Sequence, residues 1–221
     1  MKTAFPVDVN TDKATYDIQF GSVERPTHYN TSWDSARFEV CAHKYSDISE
    51  YGYGVSLIND CKYGHSVHDG VMTLTLLKSG TYPDPTADKC EHYFTYSLYP
   101  HAGDCREAGT IKTAYELNNP MTAMKIDKHS GKLADSYSLV SVKDENVVIE
   151  TIKKAENGDG IIVRMYESFN RRTSTILKTG FDFESVTLCD MLENDLKVIS
   201  AKENSIPITL KPFEIVTIKI R

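Results

Sequence analysis

Residues 147–168 read VVIETIKKAENGDGIIVRMYES. Two runs rich in Val, Ile and Thr, Val147–Lys153 and Ile161–Ser168, flank Asn157-Gly158-Asp159-Gly160. Branched side chains suit a pleated surface, and Asn-Gly and Asp-Gly tolerate the positive φ angles that a chain reversal needs. The segment is therefore predicted to be an antiparallel hairpin. The same period-2 alternation recurs along the chain. Phe38, Val40 and Ala42 alternate with Arg37, Glu39 and Cys41. Met72, Leu74 and Leu76 alternate with Thr73, Thr75 and Leu77, and Phe94, Tyr96 and Leu98 with Tyr93, Thr95 and Ser97. Val216, Ile218 and Ile220 oppose Ile215, Thr217 and Lys219. Such a pattern gives each strand one core face and one wetter face. Further strands are predicted at Thr15–Phe20, Tyr53–Ile58, Met121–Ile126, Tyr137–Val142, Thr175–Thr179 and Ile206–Leu210, and His68-Asp69-Gly70 reads as a second hairpin turn. Only Asp104–Leu117, stopped by Pro120, has a helical stripe. Many short strands and one short helix give an all-β antiparallel sandwich. The chain is read as one region, 1–221, with a division into two lobes near residues 120–145 left open.

Charge and composition narrow the function. The chain has 221 residues, with 25 Lys+Arg against 31 Asp+Glu, a formal net charge of −6. A nucleic-acid partner needs a concentrated basic face, and no basic block is present. No apolar run is long enough to span a membrane, and the opening MKTAFPVDVNTDK has no apolar core of a signal peptide. Five widely spaced cysteines without a CxxC motif read as reduced thiols, which points to an intracellular compartment.

No cofactor motif stands out. Gly52-Tyr53-Gly54 lacks the third glycine and the following helix of a dinucleotide site. Gly64-His65-Ser66-Val67-His68 fails as a nucleophile elbow at its fifth position. His65 and His68 project to opposite faces if extended, so they are not read as metal ligands. Asp34, Asp47 and Asp60 are the carboxylates that sit among aromatic and basic residues; turn capping is the expected role of Asp34 and Asp47. The loop Asn59-Asp60-Cys61-Lys62-Tyr63-Gly64 gathers amide, carboxylate, ammonium and phenol, a set suited to a hydroxyl-rich ligand. A purely structural turn there would hold Gly64 at positive φ. Pro26 restricts Arg25 to extended geometry. That frees its guanidinium to pair with a carboxylate, either Asp34 or a group outside this chain. Trp33, the only tryptophan, is either a core plug or a stacking surface.

These residues also carry a resemblance. Glu24-Arg25-Pro26-Thr27-His28, Asn30-Thr31-Ser32-Trp33-Asp34, Ala36-Arg37-Phe38-Glu39-Val40 and Asn59–Gly64 resemble the C-terminal region of α-mannosidases of glycoside hydrolase family 38, of the cytosolic and vacuolar type. The likeness continues through Pro83-Asp84-Pro85, His92-Tyr93-Phe94-Thr95-Tyr96, residues 150–156, Val163–Glu167 and Lys211–Ile215. Asp47-Ile48-Ser49 in place of Asp-Leu-Ser, and Cys90 where Gly is frequent, are small departures.

The resemblance implies a β-sandwich of the galactose-mutarotase-like supersandwich type. It also implies that nucleophile and zinc ligands lie in a preceding catalytic domain, so no catalytic and no metal residue is assigned here. Zinc would belong to that domain, and no cofactor to this chain. The expected partners are the catalytic domain and a mannoside or oligosaccharide substrate. Asn59, Asp60, Lys62 and Tyr63 are candidates for the rim of the sugar site. Arg25, His28, Trp33 and Asp34 are candidates for the domain interface. A stand-alone carbohydrate-binding module and an oligomerisation domain, including a homo-oligomer, stay open as alternatives. Strand patterning that reaches both ends suggests a domain cut from a longer chain, which would carry an apolar patch of more than a few hundred Å² on one face.

Overall fold

In the computed structural model, which describes residues 1–221, seventeen strands and two helices form, and every strand pairing is antiparallel. They divide into two units, Met1–Ala123 and Met124–Arg221. The first holds β1 (Lys2–Pro6), β2 (Lys13–Ile18), β3 (Gly21–Pro26), α1 (Ser32–Ala36), β4 (Val40–Cys41) and β5 (Tyr45–Glu50). It continues with β6 (Tyr53–Asn59), β7 (Gly64–His68), β8 (Val71–Thr75), β9 (Tyr96–His101) and α2 (Thr110–Asn118). Two sheets form, ordered β1-β8-β7-β4 and β3-β2-β5-β6-β9. Between them lie Tyr16, Ile48, Val55, Leu57, Val67, Met72 and Leu74, all buried. These are the alternate residues of their strands, so burial of one face fixes the register. α2 packs on the opposite face of β5 and β6. That is why β6 is buried on both faces from Gly54 to Asn59.

The second unit holds β10 (Val140–Ser141), β11 (Val147–Lys154), β12 (Ile161–Glu167), β13 (Thr173–Thr179), β14 (Val186–Cys189), β15 (Asp195–Ile199), β16 (Ser205–Leu210) and β17 (Ile215–Ile220). Its sheets run β11-β12-β17-β14-β15 and β10-β13-β16. Val163, Met165, Leu177, Ile206, Leu210, Ile218 and Ile220 fill its core.

Both predicted hairpins form. β11 and β12 close at Lys154↔Ile161, with Gly158 and Gly160 at positive φ in the loop. β7 and β8 close at His68↔Val71. Asp69 and Gly70, at φ of 51° and 70°, make the type I′ turn that matches strand twist.

Other expectations fail for identifiable reasons. No strand forms at Met121–Ile126, and Tyr137–Val142 shrinks to Val140–Ser141. Alternation alone does not make a strand. Backbone groups need a ladder partner, and no strand pairs with residues 121–126. Phe38–Ala42 is reduced to Val40–Cys41. The helix expected from Asp104 starts at Thr110, because Gly109 stands at φ +68°. The Asp104 carboxylate caps a separate turn by accepting from the amides of Arg106 and Glu107. A second helix, α1, was not expected. Thr31 and Asp34 form a reciprocal capping box at its start, a Thr-x-x-Asp signature visible in the sequence. The five cysteines are free. No helix is long and apolar enough to cross a membrane.

Candidate functional site

The loop Asn59–Gly64 is built from the end of β6. Asn59 shares the strand parity of Val55 and Leu57, so its side chain turns into the sandwich. It is 1% exposed. Its Nδ2 donates to the His43 carbonyl (2.9 Å) and meets His65 Nε2 (3.3 Å). Its Oδ1 accepts from the amides of Cys61 (3.1 Å) and Lys62 (2.6 Å). Asn59 thus folds the loop from beneath. Asp60, Lys62 and Tyr63 form its outer side. The amide of Thr95 donates to both Asp60 carboxylate oxygens at 3.0 Å. Burial of Asp60 would raise its pKa, but these hydrogen bonds, with one to Cys61, leave it below the ordinary carboxylate value. Lys62 Nζ sits 4.8 Å from the Phe94 ring centre, and the Tyr63 ring lies 5.2 Å from that of His43. Asp60, Lys62 and Tyr63 therefore present a carboxylate, an ammonium and a phenol, each held by a neighbour.

Gly64 is not at positive φ; it is required by close approach. A Cβ there would stand 2.7 Å from Glu39 Oε1 and 3.0 Å from Thr75 Cβ. Glu39 is fixed by Lys2 and by the Thr75 hydroxyl (2.8 Å). Gly64→Ala is expected to cost about 1–3 kcal/mol, the usual penalty of overpacking, read as a lowered urea midpoint.

Behind the loop, His65 is fully buried and its Nδ1 lies 3.0 Å from the Ser46 hydroxyl. Burial pushes its pKa down from 6.5 to about 4, so the native ring is neutral. An unfolded histidine takes a proton below about 6.5. Stability of this unit is therefore expected to fall as pH drops from about 6.5 to about 4. Urea midpoints at pH 7 and pH 5 check this, and His65→Gln should flatten the difference. His68 lies on the other face of β7, stacked on Tyr29 at 4.0 Å.

A second group surrounds α1. Asp34 accepts from the backbone amide (3.0 Å) and hydroxyl (2.8 Å) of Thr31, and these bonds hold its pKa low. His28 Nδ1 and Arg37 Nη1 each stand 3.6 Å from its carboxylate. Capping is thus the observed role of Asp34, and Arg25 is not its partner. The guanidinium of Arg25 instead lies 4.9 Å from the Tyr16 ring centre. Its Nη1 is buried and has no hydrogen-bond partner. Trp33 is 75% exposed, so it is not a core plug.

A third group escaped sequence reasoning. Asp47 caps nothing: it is buried on the face of β5 beneath α2. His101 Nε2 lies 2.8 Å from its Oδ2, which also accepts from the Ser56 hydroxyl at 2.7 Å. Its Oδ1 accepts from the Ser49 hydroxyl at 2.6 Å, and Ser56 reaches Thr110 on α2 at 2.8 Å. His101 Nδ1 faces the Gly103 carbonyl at 3.2 Å. Burial alone would lower the His101 pKa, but the Asp47 carboxylate outweighs it and the net shift is upward. A polar cavity of about 330 Å³ lies against Asp47 and Ser49, walled by Lys13, Glu24, Asp104 and Arg106. Nothing marked this cluster in the sequence, because its members come from four separate elements.

No three His, Cys, Asp or Glu side chains converge as a metal site. The zinc implied by the resemblance therefore has no ligand set in these residues.

Comparison with known proteins agrees with this architecture. Residues 1–86 match the glycosyl hydrolases family 38 C-terminal domain, and residues 146–218 match the family 38 C-terminal beta sandwich domain. Human alpha-mannosidase 2C1 is 42% identical over 223 residues, covering 99% of this chain and 21% of that protein. An alpha-mannosidase of Saccharomyces cerevisiae is 40% identical over 242 residues, covering 100% of this chain and 22% of that protein. The chain thus spans about one fifth of the length of these relatives. The crystal structure of an alpha-mannosidase from Enterococcus faecalis V583 shares the fold, with a TM-score of 0.82 at 23% identity over 100% of this chain and 25% of that one. Two matched segments of the same family, joined by identity along the whole length, settle the assignment: the chain belongs to glycosyl hydrolase family 38, as its C-terminal β-sandwich region.

Proposed function

We propose that the chain is the non-catalytic C-terminal β region of an intracellular α-mannosidase. It packs on a catalytic domain that hydrolyses terminal α-mannosides with retention, through a covalent glycosyl-enzyme. The observation that carries this reading is the 42% identity to alpha-mannosidase 2C1 along 99% of the chain. Zinc and the nucleophile belong to the catalytic domain. Asp60, Lys62 and Tyr63 border the sugar site, with Asn59 as the brace that sets their loop. Their mixture of acceptor, donor and aromatic ring is what a hydroxyl-rich ligand requires. Arg25, His28, Trp33 and Asp34 contribute to the interface with the catalytic domain, and the exposure of Trp33 supports that role.

The test is hydrolysis of an aryl α-mannoside with zinc or cobalt added. The intact enzyme is expected to turn over and the 221-residue chain alone to be silent; turnover by the chain alone would overturn the proposal. For the rim, Lys62→Ala in the intact enzyme should lower kcat/KM by roughly 10-fold or more, the loss expected for one hydrogen bond to a charged group. An unchanged value removes Lys62 from the site. Saturable heat on titrating mannose into the isolated chain would instead favour a carbohydrate-binding module.

A further inference from the structure

Arg25 occupies an unusual place. It stands opposite Ala14 in the β2–β3 register, and Ala14 is buried in the core of the sandwich. Directly opposed residues share a face, so the arginine projects to the core side from an edge strand. There it lies over Tyr16. It takes part in none of the ion pairs of its unit, and its Nη1 is buried without an acceptor. Burial is the main influence that disfavours its charge; Tyr16 and Cys41 oppose that, and Arg37, of the same sign, adds to it. Asp34, the acceptor the sequence suggested for it, is already engaged by Thr31, His28 and Arg37. A desolvated guanidinium nitrogen without an acceptor is costly, and the planar fork of arginine matches a carboxylate bidentately.

The surroundings resemble the exposed half of an interface. Tyr29 stacks on His68, which reaches the carbonyls of Thr27 and Arg37. Along this stretch Tyr29, Trp33 and Phe38 are 44%, 75% and 68% exposed. Aromatic residues and arginine are the types enriched at interface centres.

We infer that Arg25 is the anchor for a carboxylate side chain of the catalytic domain, which lands on the face carrying Tyr29, Trp33 and Phe38. The inference rests on the proposed packing of the two domains and names the chemistry of the missing contact. The charge complement argues for it: the face offers an unmatched cation, and its own carboxylate is in use. About four fifths of the length of the relatives lies outside the matched region and is there to supply the acceptor.

The test compares Arg25→Met and Arg25→Lys in the intact enzyme and in the 221-residue chain, by thermal unfolding and hydrogen exchange of β3. In the chain alone, Arg25→Met is expected to leave the melting temperature unchanged or raise it, since it removes an unmatched charge. In the intact enzyme the same change should lower the melting of this region by several degrees and expose β3 to exchange. Arg25→Lys should recover only part of that, because a point charge does not replace the fork. Equal shifts in both contexts would overturn the inference. So would full recovery by lysine, since an inward charge that merely blunts a sheet edge needs no fork. The packing itself is read separately from the wild type: a region that melts no higher in the intact enzyme than alone sinks the proposed function, whatever Arg25 does.

Discussion

Asp47→Ala is expected to be the most damaging single change in residues 1–123, lowering stability by about 3–5 kcal/mol, the usual cost of removing one partner from a buried ion pair. Three groups lose their acceptor together: the ring of His101 and the hydroxyls of Ser49 and Ser56. The imidazole cannot turn to water, since its side chain is 2% exposed, and its other nitrogen faces the Gly103 carbonyl. The backbone of β6 already lies against two of the same groups. Gly54 has no Cβ because one would lie 2.4 Å from His101 Cε1 and 2.5 Å from Ser49 Oγ. Urea unfolding of the 221-residue chain measures the loss; a change below about 1 kcal/mol would show that the pair contributes little, as exposed pairs do. The sign with pH follows from the upward shift of His101. A histidine whose folded pKa is raised contributes stability that is complete below the unfolded value of about 6.5 and is lost as pH rises through the folded value. Asp47→Ala should abolish that alkaline slope. The acid slope set by His65 should persist, so the two histidines act at opposite ends of the pH range.

Glu167→Gln should unfold residues 124–221 almost as readily as Glu167→Ala. Glu167 is fully buried, and its carboxylate accepts four hydrogen bonds. Oε1 takes Asn146 Nδ2 at 2.8 Å and the Phe169 amide at 2.7 Å. Oε2 takes the amides of Arg171 and Phe213, both at 3.1 Å. These donors come from the loop after β12, the loop before β17 and the segment before β11. One carboxylate thus ties three stretches of chain together. A glutamine keeps the shape but turns one acceptor into an NH₂. Either orientation then sets that NH₂ against two N–H donors, each costing about 1–3 kcal/mol when left unmatched. Hydrogen exchange at Phe169, Arg171 and Phe213 should accelerate in both variants. Slow exchange retained in Glu167→Gln would show that relaxation or water replaces the lost acceptor.

Neither group was legible as such. Asp47 and His101 are 54 positions apart, and a buried pair of that kind leaves no local signature. Turn capping was the role expected of Asp47, as it is the common role of Asp in a polar stretch. In the fold it is mid-strand, and its side chain points at α2. Asn59 was closer to legible: counting by two from Val55 and Leu57 puts it inside, and a polar residue inside must spend its amide on the chain around it. The capping box of α1 was also in plain view at Thr31 and Asp34. The expected capping role of Asp34 is one half of that box, and the reciprocal bond to Thr31 turns the cap into the start of a helix.

By itself the sequence determined most of the strands with one buried face and the two hairpin reversals at 69–70 and 157–160. It could do so because period-2 burial and positive-φ turn residues are local properties, written within a few positions. Tertiary structure alone decided that residues 121–126 remain unpaired, that Gly64 answers to Glu39 rather than to its own φ, and that Arg25 has no acceptor while Asp47 and Glu167 have several. Those outcomes depend on which distant segments come to lie side by side. The energy of a buried polar group is set by that company and not by its neighbours in the chain.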